Sequence, residues 1–346
     1  MPPRFFVPKS SKKQLHKISI IFLLFAFFTV AYLFRTINLP LLLKADVIYF
    51  EVESGNSVAR IARKLAMEDI YEYPQIFSMY ARLRGLASSI QAGEYEITKG
   101  ISAKDFLNML VTGDIAQYRI TLIEGWTLDQ ALNAIWQSPN IRREIELIDK
   151  EGISADLQLD FKSAEGLFFP DTYFYANGST DIEILRRANQ KMDEVLTEAW
   201  TNRLGALPYE NPYEALIMAS IIEKESGSES ERGDIAGVFV RRLELGMRLQ
   251  SDPTVIYGMG EDYKGDIQRE DLRKETAYNT YRIDGLPPTP IALAGMESIL
   301  ASLNPVLSED LYFVSKGDGT HYFSSTLEEH NAAVNRFQIS PQEQSQ

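Results

Sequence analysis

The sequence predicts an α+β protein with an N-terminal transmembrane helix, a small βααβ module and a larger α+β domain. Residues 18–34, ISIIFLLFAFFTVAYLF, run 17 positions without a charge. Strand-like alternation at residues 47–52 and 92–97 brackets two amphipathic helical patterns. Beyond residue 100, helical patterns alternate with short strand patterns without an internal repeat. These divide the chain into a tail at 1–17, an anchor at 18–38, the module at 46–100, a connecting α/β segment at 101–155 and the larger domain at 156–340.

The apolar run is at the short end of the ~17–25 residues that span a bilayer, and residues 37–43 extend it slightly. Arg4, Lys9, Lys12, Lys13 and Lys17 precede it with no acid, and only Arg35 and Lys44 follow before the acidic portion. That asymmetry places the tail in the cytoplasm and the remainder outside the inner membrane, in the periplasm or its equivalent. A cleaved signal peptide fits less well, because the run exceeds the usual ~7–15-residue apolar region and no small-x-small site follows. Residues 1–44 hold seven of the 35 basic residues and none of the 48 acidic ones. The exported part, with 28 basic against 48 acidic groups, is therefore a poor partner for nucleic acid or anionic lipid. A neutral or cation-bearing polymer suits it better. The chain lacks cysteine, which excludes disulfides and thiolate metal sites.

In the module, residues 47–52 read as a strand, Ser57 caps a helix through Asp69, a second helix runs from Pro74 to Leu83, and residues 92–97 return as a strand. This order is similar to a LysM-like module, a fold that contacts N-acetylglucosamine polymers, although βααβ is also common packing. A helix at 102–110 broken by Gly113, a strand at 118–123 and a helix at 128–136 follow. Residues 139–164 show no clear period, and the boundary of the larger domain falls loosely there. Glu165 to Tyr173, EGLFFPDTY, is an aromatic loop that suits either a sugar-stacking wall or core. Helices follow at 181–203 and 232–245. Residues 249–258 read as extended or turning around Pro253, and 277–281 and 285–290 as rigid polar cleft walls. A hairpin at 311–325 and a helix at 327–337 close the domain.

The larger domain is organised around NPYEALIMASIIEKESG, residues 211–227. Asn211 and Pro212 read as N-cap and first helical position, and Gly227 as the stop. At ~100° per residue, Ile217, Met218, Ile221 and Ile222 form one apolar stripe with Glu225 inside it, while Glu223 falls opposite and is easier to solvate. A carboxyl among apolar neighbours resists ionisation, as a general acid near neutral pH must. The competing reading is a helix-end glutamate that curls out to water.

Other chemistries fall away. Histidines occur only at 16, 321 and 330, without HExxH or paired-carboxylate spacing, so no metal site is expected. There is no GxSxG, Walker loop or dinucleotide fingerprint. Carboxylate chemistry or pure binding is left.

EGLFFPDTY (165–173), ASIIEKES (219–226), AGVFVRRLELGMRLQSDPTVIYGMG (236–260), AYNTYRIDGLPPTPIA (277–292) and LYFVSKGDGTHYFSSTLEEHN (311–331) resemble, in order and spacing, the successive blocks of the endolytic murein transglycosylases, the YceG-like family. The resemblance covers nearly the whole chain past residue 18. It implies that Glu225, the second glutamate of the EKE[ST] motif, is the catalytic acid. It also implies, less directly, that Gln250, Asp252, Asn279 and Tyr281 line the cleft, with Glu165 and Asp171 further candidates. The implied reaction is a lyase cleavage of the MurNAc–GlcNAc β-1,4 bond within nascent glycan strands, giving 1,6-anhydroMurNAc ends with no cofactor. The implied partners are peptidoglycan strands and the peptidoglycan synthases, the penicillin-binding proteins. Two alternatives predict different products. A lysozyme-like hydrolase would need a second carboxylate, Asp252 or Glu223, and would leave reducing ends. A non-catalytic murein-binding scaffold would cut nothing.

Overall fold

The computed structural model describes residues 10–146 and 149–339. The chain forms two compact units that divide after Tyr118. Residues 139–164, the loosely placed boundary, therefore lie wholly inside the second unit. The mixed helix and strand content agrees with an α+β class, built on three separate two-stranded sheets.

In the first unit, helix α1 (Ser10–Ile37) carries the apolar segment, and His16–Ile37 is long and apolar enough to cross a membrane. Strand β1 (Val47–Val52), helices α2 (Val58–Met67) and α3 (Pro74–Leu83), and strand β2 (Gly93–Thr98) follow in the expected βααβ order. β1 and β2 pair antiparallel, with Val47 opposite Thr98 and Val52 opposite Gly93. Ser57 caps α2 as its position predicts, its side chain accepting from the Arg60 N–H. Alternation puts Phe50, Val52, Tyr95 and Ile97 on the buried face of the hairpin. There they meet the apolar faces of α2, α3 and helix α4 (Ala103–Thr112), with Phe106 edge-on to Phe50 at 5.5 Å between ring centres. Gly113, left-handed at φ 71°, ends α4.

The second unit is mainly helical. Strand β3 (Tyr118–Thr121) pairs with β4 (Thr172–Tyr175), and between them lie α5 (Leu128–Gln137) and α6 (Lys150–Leu157). α6 falls in the stretch that shows no clear sequence period. The long helix α7 (Asp181–Thr201) follows, opened by a capping box of Thr180 and Glu183. The core surrounds α8 (Pro212–Glu225), against which α7, α9 (Arg232–Glu244) and α11 (Met296–Leu303) pack. Asn211 caps α8 and Pro212 opens it as expected, but the helix ends at Glu225, two residues before Gly227. α8 does not have a single apolar stripe: every residue from Ala215 to Ile222 is buried, because neighbours cover it on all sides. Residues 249–258 also depart from expectation, since α10 (Asp252–Met259) is a helix with Pro253 in its first turn. Proline suits that position because no intrahelical N–H is needed there. The antiparallel hairpin β5 (Tyr312–Ser315) and β6 (His321–Ser324) and helix α12 (Leu327–Val334) complete the unit.

The aromatic loop 165–173 is core rather than an exposed wall, with Leu167, Phe168 and Phe169 all buried. Gly166 makes its turn at φ 76°, where an added Cβ would lie 2.3 Å from the Pro290 Cβ. Gly166→Ala is expected to destabilise the unit by about 2 kcal/mol, from left-handed backbone strain plus the clash. A thermal melt that matches wild type would refute this.

Candidate active site

Glu225 closes α8 with its carboxyl directed into a cleft of about 430 Å³, within the usual range for small-ligand pockets. The cleft is also lined by Gln250, Asp252 and Tyr281, and by Tyr312, His321 and His330 from the closing hairpin and α12. Four of the six residues suggested by the sequence, 165, 225, 250, 252, 279 and 281, thus meet in one place although they span 57 positions of the chain.

The other two have different roles. Asn279 is 1% exposed, and its side-chain amide donates to the carbonyls of Asp271 and Lys274 while its oxygen accepts from the Tyr281 N–H. It shapes the loop that presents Tyr281 and does not line the cleft. Glu165 is fully buried, held by Lys150 Nζ at 2.6 Å, the Tyr257 hydroxyl at 2.9 Å and the Leu128 N–H at 2.8 Å. With its oxygens committed, it ties α5, α6 and α10 together. Asp171, a weaker candidate, is exposed beside β4 and is absent from the cleft lining.

The two glutamates of the EKES block also separate, but not as the helical wheel suggests. Glu223 is not solvated: its side chain is 6% exposed, 3.2 Å from Arg232 and accepting from the Gly295 N–H at 3.0 Å. Arg232 follows in the next helix, so this pairing is a tertiary contact invisible to a wheel. Glu223 has no freedom to act in the cleft. Glu225 instead accepts a hydrogen bond from the Ser251 hydroxyl, at Oε1 and 2.6 Å. Desolvation raises its pKa from the ordinary carboxyl value to about 7, with the Ser251 hydrogen bond working against the rise and the charge of Asp252 adding to it. Such a group is partly protonated at neutral pH and can both give and take a proton.

Ser251 is itself held rigidly. It is 1% exposed, its N–H donates to the Thr280 hydroxyl at 2.9 Å, and Thr254 Oγ1 donates to its carbonyl at 2.7 Å. The Tyr281 hydroxyl donates to Asp252 Oδ1 at 2.7 Å, and burial with this bond raises the phenol pKa. Gln250 adopts a left-handed φ of 54°, an uncommon conformation for its residue type, immediately before Ser251 and Asp252.

Beneath this wall lies Arg242, which sequence reading treats only as a member of a helical pattern. It is 7% exposed. Its Nε donates to the Leu311 carbonyl at 2.7 Å, and Nη1 donates to the Leu249 carbonyl at 2.8 Å and to Gln250 Oε1 at 3.3 Å. Its guanidinium also lies over Tyr312, 5.1 Å from the ring centre. One side chain thus joins the 249–252 segment to the closing hairpin. On the far side His321 pairs with Glu231 at 2.9 Å, and His330 stacks on Tyr312 with its pKa lowered by burial and by Arg242. Among the described residues no cluster of His, Cys, Asp and Glu could hold a metal ion.

The Ser251 hydroxyl stabilises ionised Glu225, so Ser251→Ala should raise the Glu225 pKa further. A hydrogen bond to a charged group is worth ~1.5–3 kcal/mol, which makes a shift of about one pH unit a reasonable expectation. The alkaline limb of the pH–rate profile should move upward by that amount. An unmoved or lowered limb would refute the coupling.

Residues 50–336 match the YceG-like family. A Bacillus subtilis protein named endolytic murein transglycosylase is 32% identical over 308 residues, covering 83% of both chains. A Streptococcus pneumoniae protein of the same name is 28% identical over 316 residues, which cover 82% of this chain and 57% of the pneumococcal one. Among solved structures, a putative YceG-like protein from Listeria monocytogenes aligns with a TM-score of 0.53 at 29% identity, covering 83% of this chain and 99% of that one.

Proposed function

The chain belongs to the YceG-like family, and on that premise we propose that it is an endolytic murein transglycosylase with Glu225 as its catalytic acid. The observation that carries the assignment is the Glu225 carboxyl, which lines the cleft and is held by the Ser251 hydroxyl at 2.6 Å, where desolvation raises its pKa to about 7. Protonated Glu225 donates to the oxygen of the MurNAc–GlcNAc β-1,4 bond. The C1–O bond breaks as oxocarbenium character develops at C1. The carboxylate left behind takes the proton of the MurNAc C6 hydroxyl, whose oxygen closes on C1 to form the 1,6-anhydro ring. Water is not consumed, and proximity makes the internal attack effective. Glu225 ends the cycle protonated again.

The competing hydrolase reaction requires a second carboxylate as nucleophile or base. Glu223, bound to Arg232 and the Gly295 N–H, has its oxygens committed, which leaves Asp252 as the alternative within the cleft. Mass spectrometry of products from un-crosslinked glycan strands separates the two reactions. The lyase yields anhydro ends with wild type and retains some cleavage in Asp252→Asn. Reducing ends, with Asp252 indispensable, would replace it by the hydrolase.

The apolar helix supports a single-pass anchor, and the basic tail before it supports a cytoplasmic N-terminus with the βααβ module and the second unit outside the membrane. The βααβ arrangement supports a LysM-like role in holding glycan, and the substrate supports action beside the peptidoglycan synthases.

A further inference from the structure

The apolar helix runs into the first unit without a linker. Thr36 and Ile37, its last residues, are 2% and 1% exposed, and Ile37 and Leu41 belong to the same core as Phe77 and Phe106. The Tyr71 hydroxyl donates to the Thr36 carbonyl at 3.0 Å. The chain then turns at once, with Leu41 N–H donating to the Ile101 carbonyl and Leu42 N–H to the Ile70 carbonyl, both at 2.8 Å. The unit is therefore fastened directly to the end of the span.

The surface at that junction is apolar. A hollow of about 210 Å³ opens there, lined by Leu39, Pro40, Leu42, Tyr71, Glu72 and Tyr73. Leu42 is 53% exposed, as is Tyr32 on the last turns of α1. The 22 residues of His16–Ile37 rise ~33 Å as helix, close to the ~30 Å of a hydrocarbon core. A span that uses its full length puts Ile37 at the outer boundary, and the hollow then lies at headgroup depth. Tyrosine is favoured there because its ring is apolar and its hydroxyl polar. An exposed arginine, Arg35, occupies the same turn and can extend toward lipid phosphates.

We propose that this face of the βααβ unit, centred on Leu42, Pro40 and Tyr73, is a lipid-docking surface seated in the outer-leaflet interface, so that the unit rests on the bilayer instead of swinging from a tether. The occupant is the phospholipid interface itself, selected by continuity with the span and by the apolar and tyrosine lining. The inference rests on the membrane-anchor reading above.

The absence of native cysteine allows spin labels to be placed singly in the full-length chain, reconstituted in phosphatidylethanolamine–phosphatidylglycerol vesicles. Collision rates with oxygen and with a water-soluble nickel chelate report depth. Labels at Leu42→Cys and, independently, Pro40→Cys should show an oxygen-to-nickel ratio severalfold above one at Glu53→Cys, an exposed position just past the end of β1. A label at Phe25→Cys, within the span, tests the anchor itself. Phe25 in lipid with both positions 40 and 42 as aqueous as position 53 overturns the docking surface and leaves the anchor standing. An aqueous Phe25 overturns both.

Discussion

Replacing Glu225 by glutamine is expected to lower glycan-strand cleavage by about 10³-fold, within the usual contribution of a positioned general acid. The amide keeps the shape of the side chain and can still meet the Ser251 hydroxyl, but it cannot deliver a proton. The measurement is the yield of anhydro-ended fragments per unit enzyme, and undiminished cutting would remove Glu225 from the mechanism. For wild type, the acid must be protonated, so activity should fall as pH rises through about 7. The same group has a signature in stability. Below the unfolded carboxyl pKa of ~4.5 both states hold the proton; between there and about 7 only the native state does, so native stability declines as pH rises. Glu225→Gln lacks that decline. It should melt higher than wild type at pH 8 and no higher at pH 4, the reverse of what loss of a structural glutamate would do.

Arg242→Ala should have the largest effect on stability. The side chain supplies hydrogen bonds to the carbonyls of Leu311, Arg248 and Leu249, and alanine leaves these acceptors without that partner while opening space beside Tyr312. At ~1–3 kcal/mol for each stranded buried group, with partial rescue by water, a loss of about 4 kcal/mol is expected. That corresponds to ~8–16 °C in melting temperature for a unit of this size. Because Gln250, Ser251 and Asp252 follow the segment that Arg242 holds, activity measured well below the melt should fall too. Arg242→Lys should recover little, since an ammonium cannot reproduce the planar fork. A lysine variant equal to wild type in both melt and rate would refute the bracing role.

Most of the helices, the four strands β1, β2, β5 and β6 and the βααβ order are legible in the sequence because local rules produce them. Ser57, Thr127, Thr180 and Asn211 cap helices through their own side chains, and alternation along β1 and β2 assigns the buried face residue by residue. α10 is not legible in that way. Pro253 admits two local readings, a turn or a first helical turn, and the hydrogen bonds of Ser251 and Thr254 with Thr280, 26 or more positions away, accompany the second. The same limit applies to the acidic side chains. Glu165, Glu223 and Glu225 look alike as letters, and a helical wheel supplies the angle of a side chain but not its neighbour.

By itself the sequence determined the long apolar N-terminal segment, the module order, the family and the identity of the candidate acid, because these depend on composition, spacing and motif. Only the tertiary structure decided which polar residues reach the cleft. Gln250, Asp252 and Tyr281 join Glu225 there, while Asn279 and Glu165 satisfy buried backbone and charge elsewhere. The physical reason is that desolvation and hydrogen bonding are set by groups distant in the chain. A carboxyl with committed partners becomes structure, whereas one left facing a cleft with a single hydroxyl keeps a proton it can use.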